Sequence, residues 1–148
     1  KSASNISDMQ KRFTQPLPYE FIKIGLSRDR KELYSLIEKR VDEMIANGLE
    51  EEVKNVLHLI EASSVSPLPS MQAIGYKEIA MYLQGGIPRD EAVRLIKRGS
   101  KRYAKRQFTW FRKEEGISWV DITGISDNLI ILDRVCDILG TGYNMQIS

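Results

Sequence analysis

At 148 residues the chain has the length of about one domain, and a hydrophobic content of 42% is enough for a core. A charged content of 28% without low-complexity tracts argues against wholesale disorder, and no apolar run approaches the roughly 18–20 residues of a membrane span. The single cysteine excludes an internal disulfide and fits a reducing cytosol, while one histidine with one cysteine cannot make a zinc site. The chain opens Lys-Ser-Ala-Ser, without Met and without a signal-peptide pattern, as expected of a processed protein or a piece cut from something longer.

Lys1 to Pro18 is polar and ends in prolines, which predicts an extended lead-in with Met9 and Phe13 available to cover apolar surface. Tyr19 to Leu26 alternates in part and reads as a strand. Asp29 then opens a helix, with Glu32 placed to close a capping box. Its apolar stripe is Leu33, Ile37, Val41, Met44 and Ile45, and Asn47-Gly48 ends it, Gly48 suiting a left-handed cap. On this helix Arg40 and Asp42 are expected to form structural ion pairs with neighbours. A second helix runs from about Leu49 to Ala62, with Glu50, Glu51 and Glu52 in the first turn, where the helix dipole favours negative charge. His58 within it reads as surface or core filler.

Ser63 to Ser70 carries two prolines and reads as a loop. Met71 to Gln84 follows as one short amphipathic segment that stops at Gly85-Gly86. A long helix starts near Pro88 and runs toward Glu114, and Gly116 breaks it. Ile117 to Ile122 alternates as a second strand. Asn128 to Leu139 reads as a final helix with Leu129, Leu132, Val135, Cys136 and Leu139 inward, Cys136 serving as core, and a mobile tail follows from Gly140. Two strands alone make a marginal sheet, so these two are expected to be neighbours in a sheet built mostly by other sequence.

Charge is concentrated in the long helix. Lys97 to Lys113 holds eight Lys or Arg and no acid, leaving 14 basic and 20 acidic side chains in the rest of the chain. Tyr103, Phe108, Trp110 and Phe111 are interleaved among these cations, a combination that suits a polyanion with stackable bases. On a helix, Arg98, Arg102, Lys105, Thr109 and Arg112 share a basic stripe. Ala92, Ile96, Gly99, Tyr103, Gln107 and Trp110 share a second stripe, which is expected to pack, Tyr103 included. The plainer alternative is a solvated helix, yet such helices usually intersperse Glu, and none occurs between Glu91 and Glu114. There is no phosphate-cradling G-x-x-x-x-G-K-[ST] loop, no G-x-G-x-x-G and no arguable nucleophile–base pair, so no catalytic apparatus is legible in the chain itself.

Several segments occur in a specific order: RVDEMIANGLEEEV (Arg40 to Val53), MQAIGYKE (Met71 to Glu78), YLQG (Tyr82 to Gly85), KRYAKRQFTWFRK (Lys101 to Lys113) and W-x-D (Trp119 to Asp121). This series resembles the C-terminal half of bacterial tRNA dimethylallyltransferases, also called tRNA isopentenyltransferases, over nearly all of Pro18 to Asp121. The resemblance implies a fold that is mainly α with two strands, a C-terminal fragment of a P-loop-type α/β transferase. Residues 19–122 would be the core portion and 123–148 a C-terminal helix and tail. It implies transfer of a dimethylallyl group from dimethylallyl diphosphate to N6 of adenosine 37, beside the tRNA anticodon, with Mg2+ assisting. The family's nucleotide (ATP)-binding type of P-loop and its catalytic acid lie in its N-terminal part, so this chain by itself is expected to be inactive and to hold no catalytic residue and no metal.

By the same resemblance, Gln72, Ala73, Ile74, Gly75, Tyr76 and Lys77 form one tRNA-contacting segment, and Lys105, Arg106, Gln107, Phe108, Thr109, Trp110, Phe111 and Arg112 form another. Lys77, Lys105, Arg106 and Arg112 suit phosphates, and Gln107 suits a base edge. Gly75 suits close backbone approach, and Tyr76 can stack or donate its hydroxyl. Plainer roles stay open: Gly75 can simply start a helix, and at least one of Phe108, Trp110 and Phe111 is expected in the core. The implied partner is the tRNA anticodon stem-loop, with no membrane, a cytoplasmic location and a monomeric parent whose fragment can self-associate through strand edges. Two other readings stand beside it: a stand-alone RNA-binding helical module, and a helical protein whose basic face meets an acidic partner.

Overall fold

The computed structural model describes residues 21–63 and 69–144; the expected lead-in, with Met9 and Phe13, lies outside them. Two strands, β1 (Lys23–Ser27) and β2 (Ile117–Asp121), enclose the helices α1 (Arg30–Ala46), α2 (Leu49–Ser63), α3 (Tyr76–Leu83) and α4 (Arg89–Phe111). A single 3-10 turn (Pro69–Gln72) precedes α3, and α5 (Asn128–Asn144) follows β2. The fold class is as expected, mainly α with two strands, and the strands pair directly with each other in parallel, from Lys23 opposite Ile117 to Ser27 opposite Asp121. A parallel pair requires a crossover, and here α1 to α4 supply it. β1 begins later than the alternation suggested, since Phe21 and Ile22 precede it.

Helix α1 starts where Asp29 caps it, its Oδ1 accepting the N–H groups of Lys31 at 2.8 Å and Glu32 at 3.0 Å. These bonds, led by that from Glu32, hold the Asp29 carboxyl below its ordinary value. The expected capping box does not close. Glu32 instead pairs with Arg28 and accepts the Gly124 N–H at 2.8 Å, while the Asp29 N–H donates to Thr123 Oγ1 at 2.8 Å. Arg28 also donates to the Ile125 carbonyl at 2.8 Å. The start of α1 is therefore tied to the turn after β2, a tertiary partner that local spacing could not reveal.

The core lies between the helices. Val41 of α1, Leu49 and Val53 of α2, Met71, Ile79 of α3, and Ala92 and Ile96 of α4 are buried together. Each large aliphatic buried this way stabilises by roughly 1.5–3 kcal/mol. Gly48 adopts φ 98° between α1 and α2, the left-handed turn expected of it.

The segment Met71 to Gln84 divides at Gly75, which has φ 104° and separates the 3-10 turn from α3, so Gly75 does start a helix. Two expectations are corrected. Helix α4 ends at Phe111 with Arg112 as cap, short of Glu114. Helix α5 extends to Asn144, beyond the expected start of a tail at Gly140, and its apolar stripe is not inward: Leu129, Leu132 and Leu139 are 69%, 54% and 39% exposed and Cys136 is exposed. α5 touches β2, with Arg134 donating to the Asp121 carbonyl at 2.7 Å, and periodicity marks a stripe without supplying what covers it.

Candidate nucleic-acid interface

Helix α4 has 23 residues, about 35 Å of length, and its two halves have different surroundings. In the first half Ala92 and Ile96 enter the core, and Ile74 packs over Gly99. The cations here are spoken for, Arg98 excepted. Lys97 pairs with Asp42 at 2.6 Å, as expected for that aspartate, and Arg94 pairs with Glu91 at 2.5 Å. Lys101 pairs with Glu38 and lies 5.6 Å from the centre of the Tyr34 ring; its hydrogen bond lowers the Glu38 pKa.

Among the described residues, Arg98, Arg102, Lys105, Arg106, Arg112 and Lys113 form no ion pair. The basic block is thus divided: two lysines staple α4 to α1, and six cations face outward. Arg102, Lys105, Arg106, Thr109, Trp110 and Lys113 border an open surface depression of about 480 Å³. Thr109 is satisfied locally, its hydroxyl donating to the Lys105 carbonyl at 3.1 Å. Phe108 and Phe111 turn toward the sheet, where with Trp119, Leu26 and Ala104 they line a cavity of about 250 Å³. Trp110 stands edge-on to Phe111, with ring centroids 4.8 Å apart.

No aromatic of the motif is fully buried. Phe108 is half-buried, whereas Phe111 and Trp110 are exposed, so the expected core aromatic is absent. Tyr103 is likewise half exposed rather than packed, because Ala104, one residue further round the helix, takes the buried position.

The other segment forms the turn into α3. Gln72 and Ala73 are exposed and Ile74 is half-buried. Gly75 donates its N–H to Glu78 Oε2 at 2.8 Å, and Glu78 is buried. A side chain at Gly75 would meet only ordinary contact with Leu49 at 3.7 Å, so glycine is needed there for backbone conformation, not for space. The Tyr76 hydroxyl donates to Glu52, which raises its pKa, and Lys77 lies 3.5 Å from Glu78.

The structure brings the two segments together at one place. Ile74 and Gln107 line the same cavity of about 410 Å³ between α1 and α4, with Arg40, Ser100 and Tyr103 adding polar groups. Lys105, Arg106, Thr109 and Trp110 border the open depression and are not among the residues lining this cavity with the Gln72–Lys77 turn. Arg40 was expected to be ion-paired and has no such partner among the described residues; it joins the cavity wall instead. Arg102, Tyr103 and Lys113 also belong to these surfaces, although they fall outside the two tRNA-contacting segments that the resemblance implies. Helical spacing from Arg106 and Trp110 would have found them.

Among the described residues no group of three or more His, Cys, Asp and Glu is arranged to hold a metal ion. No helix among them is long and apolar enough to cross a membrane.

Comparison with known proteins gives a consistent result. A family model described as IPP transferase matches residues 1–114. The tRNA dimethylallyltransferase of Thermodesulfovibrio yellowstonii is 58% identical over 141 residues, covering 94% of this chain and 45% of that protein. The tRNA dimethylallyltransferase of Natranaerobius thermophilus is 46% identical, covering 93% and 40%. The crystal structure of a full-length tRNA isopentenylpyrophosphate transferase from Bacillus halodurans superposes with a TM-score of 0.71 at 37% identity, covering 91% of this chain and 43% of that one. A tRNA isopentenylpyrophosphate transferase from Staphylococcus epidermidis gives 0.72 at 36% identity. The chain spans less than half the length of these relatives. On a match covering most of its residues, the chain belongs to the IPP transferase family.

Proposed function

We propose that this chain is the tRNA-gripping, C-terminal portion of a tRNA dimethylallyltransferase. The parent would form a bond between N6 of the adenosine beside the anticodon and the allylic carbon of dimethylallyl diphosphate; the carbon–oxygen bond breaks, pyrophosphate leaves and the N6 proton is lost. Mg2+ and the diphosphate would be held by the rest of the parent. The contribution of this chain is to bind and orient the RNA, which makes no covalent demand on it.

The observation that carries this reading is the set of six cations on α4 without ion-pair partners, in a chain whose relatives are named as tRNA-modifying enzymes. Guanidinium forks suit phosphate oxygens and lysines serve as point charges. Gln72, Lys77 and Gln107 remain the proposed polar contacts around the α3 turn and the α1–α4 cavity, and the parent is proposed to be a cytoplasmic monomer. The test uses the full-length parent with unmodified tRNA and dimethylallyl diphosphate. Mass spectrometry should show gain of one dimethylallyl group, whereas this chain alone should bind the anticodon stem-loop and add nothing. Turnover by the chain alone would overturn the division of labour. Absence of salt-dependent RNA binding would overturn the RNA-gripping role.

A further inference from the structure

Besides Phe111, which turns toward the sheet, helix α4 carries two exposed aromatic rings that neither the core nor the ion pairs explain. Tyr103 is 50% exposed and Trp110 is 60% exposed. They are seven residues apart, which places them on nearly the same helix face about 10 Å apart along the axis. Trp110 borders the open depression together with Arg102, Lys105, Arg106 and Lys113. The Arg106 guanidinium lies 5.6 Å from the centre of the Tyr103 ring, so positive charge stands beside the aromatic face. Single exposed aromatics are common and need no explanation. A pair in helical register, bracketed by four cations without carboxylate partners, is a different arrangement.

We infer that Tyr103 and Trp110 form a stacking platform for unpaired bases of RNA, flanked by Arg102, Lys105, Arg106 and Lys113 as phosphate partners. The proposal rests on the RNA-binding reading above and adds the mode of contact and three residues, Arg102, Tyr103 and Lys113, beyond the two tRNA-contacting segments that the resemblance implies. Base pairs in a duplex shield their faces, so a platform of this kind selects single-stranded or loop nucleotides. Its spacing is about three steps of a nucleotide strand, so a short unpaired run spans both rings. Charge favours a polyanion over an apolar partner: no acid occurs from Ala92 to Lys113. The rings favour bases over an acidic polypeptide, because stacking needs a π-face on the ligand.

The test is binding of a short RNA hairpin to the complete chain, with the same hairpin made abasic in its loop and a blunt duplex as comparisons. The expected affinity order is intact loop over abasic loop and duplex. Trp110→Leu and Tyr103→Leu should each weaken loop binding by about 5- to 150-fold, the range of one lost base stack. Trp110→Phe should retain most of the affinity and abolish the quenching of tryptophan fluorescence on binding. Trp119 lies against Gly25 on the sheet, so residual emission from it serves as an internal reference. Circular dichroism of each variant identifies any that fail to fold, and the abasic hairpin tests the same contact from the RNA side without any substitution. Equal affinity for intact and abasic loops would overturn the platform while leaving phosphate binding intact. Competition by polyglutamate as effective as that by the hairpin would overturn it as well. Absence of any salt-dependent hairpin binding would remove the RNA reading itself, and the platform with it.

Discussion

Arg112→Ala and Lys101→Ala remove the same formal charge from the same helix, yet they should affect RNA binding differently. Six cations of α4 lack ion-pair partners among the described residues, whereas Lys101 is already engaged by Glu38. Each cation that neutralises a phosphate contributes about 0.7 to 0.9 to the slope of log affinity against log salt, so six engaged cations give a slope of about −4 to −5. Affinity should then fall by roughly 300- to 2,000-fold between about 50 and 200 mM salt. Arg112→Ala, and separately Arg106→Ala, should flatten the slope by about 0.7 to 0.9. Lys101→Ala should leave the slope nearly unchanged, because the ion it loses was facing a carboxylate of α1. Fluorescence anisotropy of a labelled anticodon stem-loop, titrated at five or so salt concentrations, measures this directly. Equal flattening by Lys101→Ala and Arg112→Ala would refute the division of the block into stapling and free cations.

Other consequences are structural. Gly75→Ala should cost about 1–3 kcal/mol in urea unfolding through backbone strain at φ 104°, although the space for a methyl group exists. Gly25→Ala should displace the Trp119 ring, since the new carbon would stand 2.7 Å from it; a shifted tryptophan emission maximum checks this. Ile79→Ala, at a fully buried position, should destabilise by about 2–5 kcal/mol in the same unfolding assay. The Asp29 carboxyl is held below its ordinary value of 3.8, chiefly by the Glu32 N–H, so its capping contribution is complete above that pH and is lost as pH falls through the lower folded value. Asp29→Asn should therefore keep the cap near neutrality and flatten the acid dependence of the urea midpoint below about pH 4; an unchanged acid profile would count against the cap as a titrating contributor.

The helices were legible because their signals are local. Asp29 before an apolar stripe, Gly48 after it, three glutamates opening α2 and Pro88 ahead of α4 all act within one turn of the element they delimit. What was not legible depends on partners distant in sequence. Glu32 has the spacing of a capping box, yet Gly124, 92 residues away, claims its carboxylate. The α5 stripe is periodic, but periodicity carries no information about the surface that would cover it. The packing face of α4 passes through Ala104, not Tyr103, since a stripe followed by threes and fours can move either way at each turn. The candidate site follows the same rule: the basic block was visible at once, whereas its division into paired and unpaired cations required the positions of Glu38 and Asp42 on α1.

The parallel pairing of β1 with β2 also has a consequence in time. Their partner residues are 94 positions apart, from Lys23 to Ile117. At a synthesis rate of about 5–20 residues per second, β1 leaves the ribosome roughly 5 to 20 s before its partner exists. The helices α1 to α4 complete their local hydrogen bonds within microseconds of emergence. During that interval Phe21, Ile22 and Leu26 accompany a strand whose β2 partner has not been made. A nascent chain stalled before Ile117 should therefore be the form most open to proteolysis and to pairing with another strand, and release past Asp121 the step that closes it.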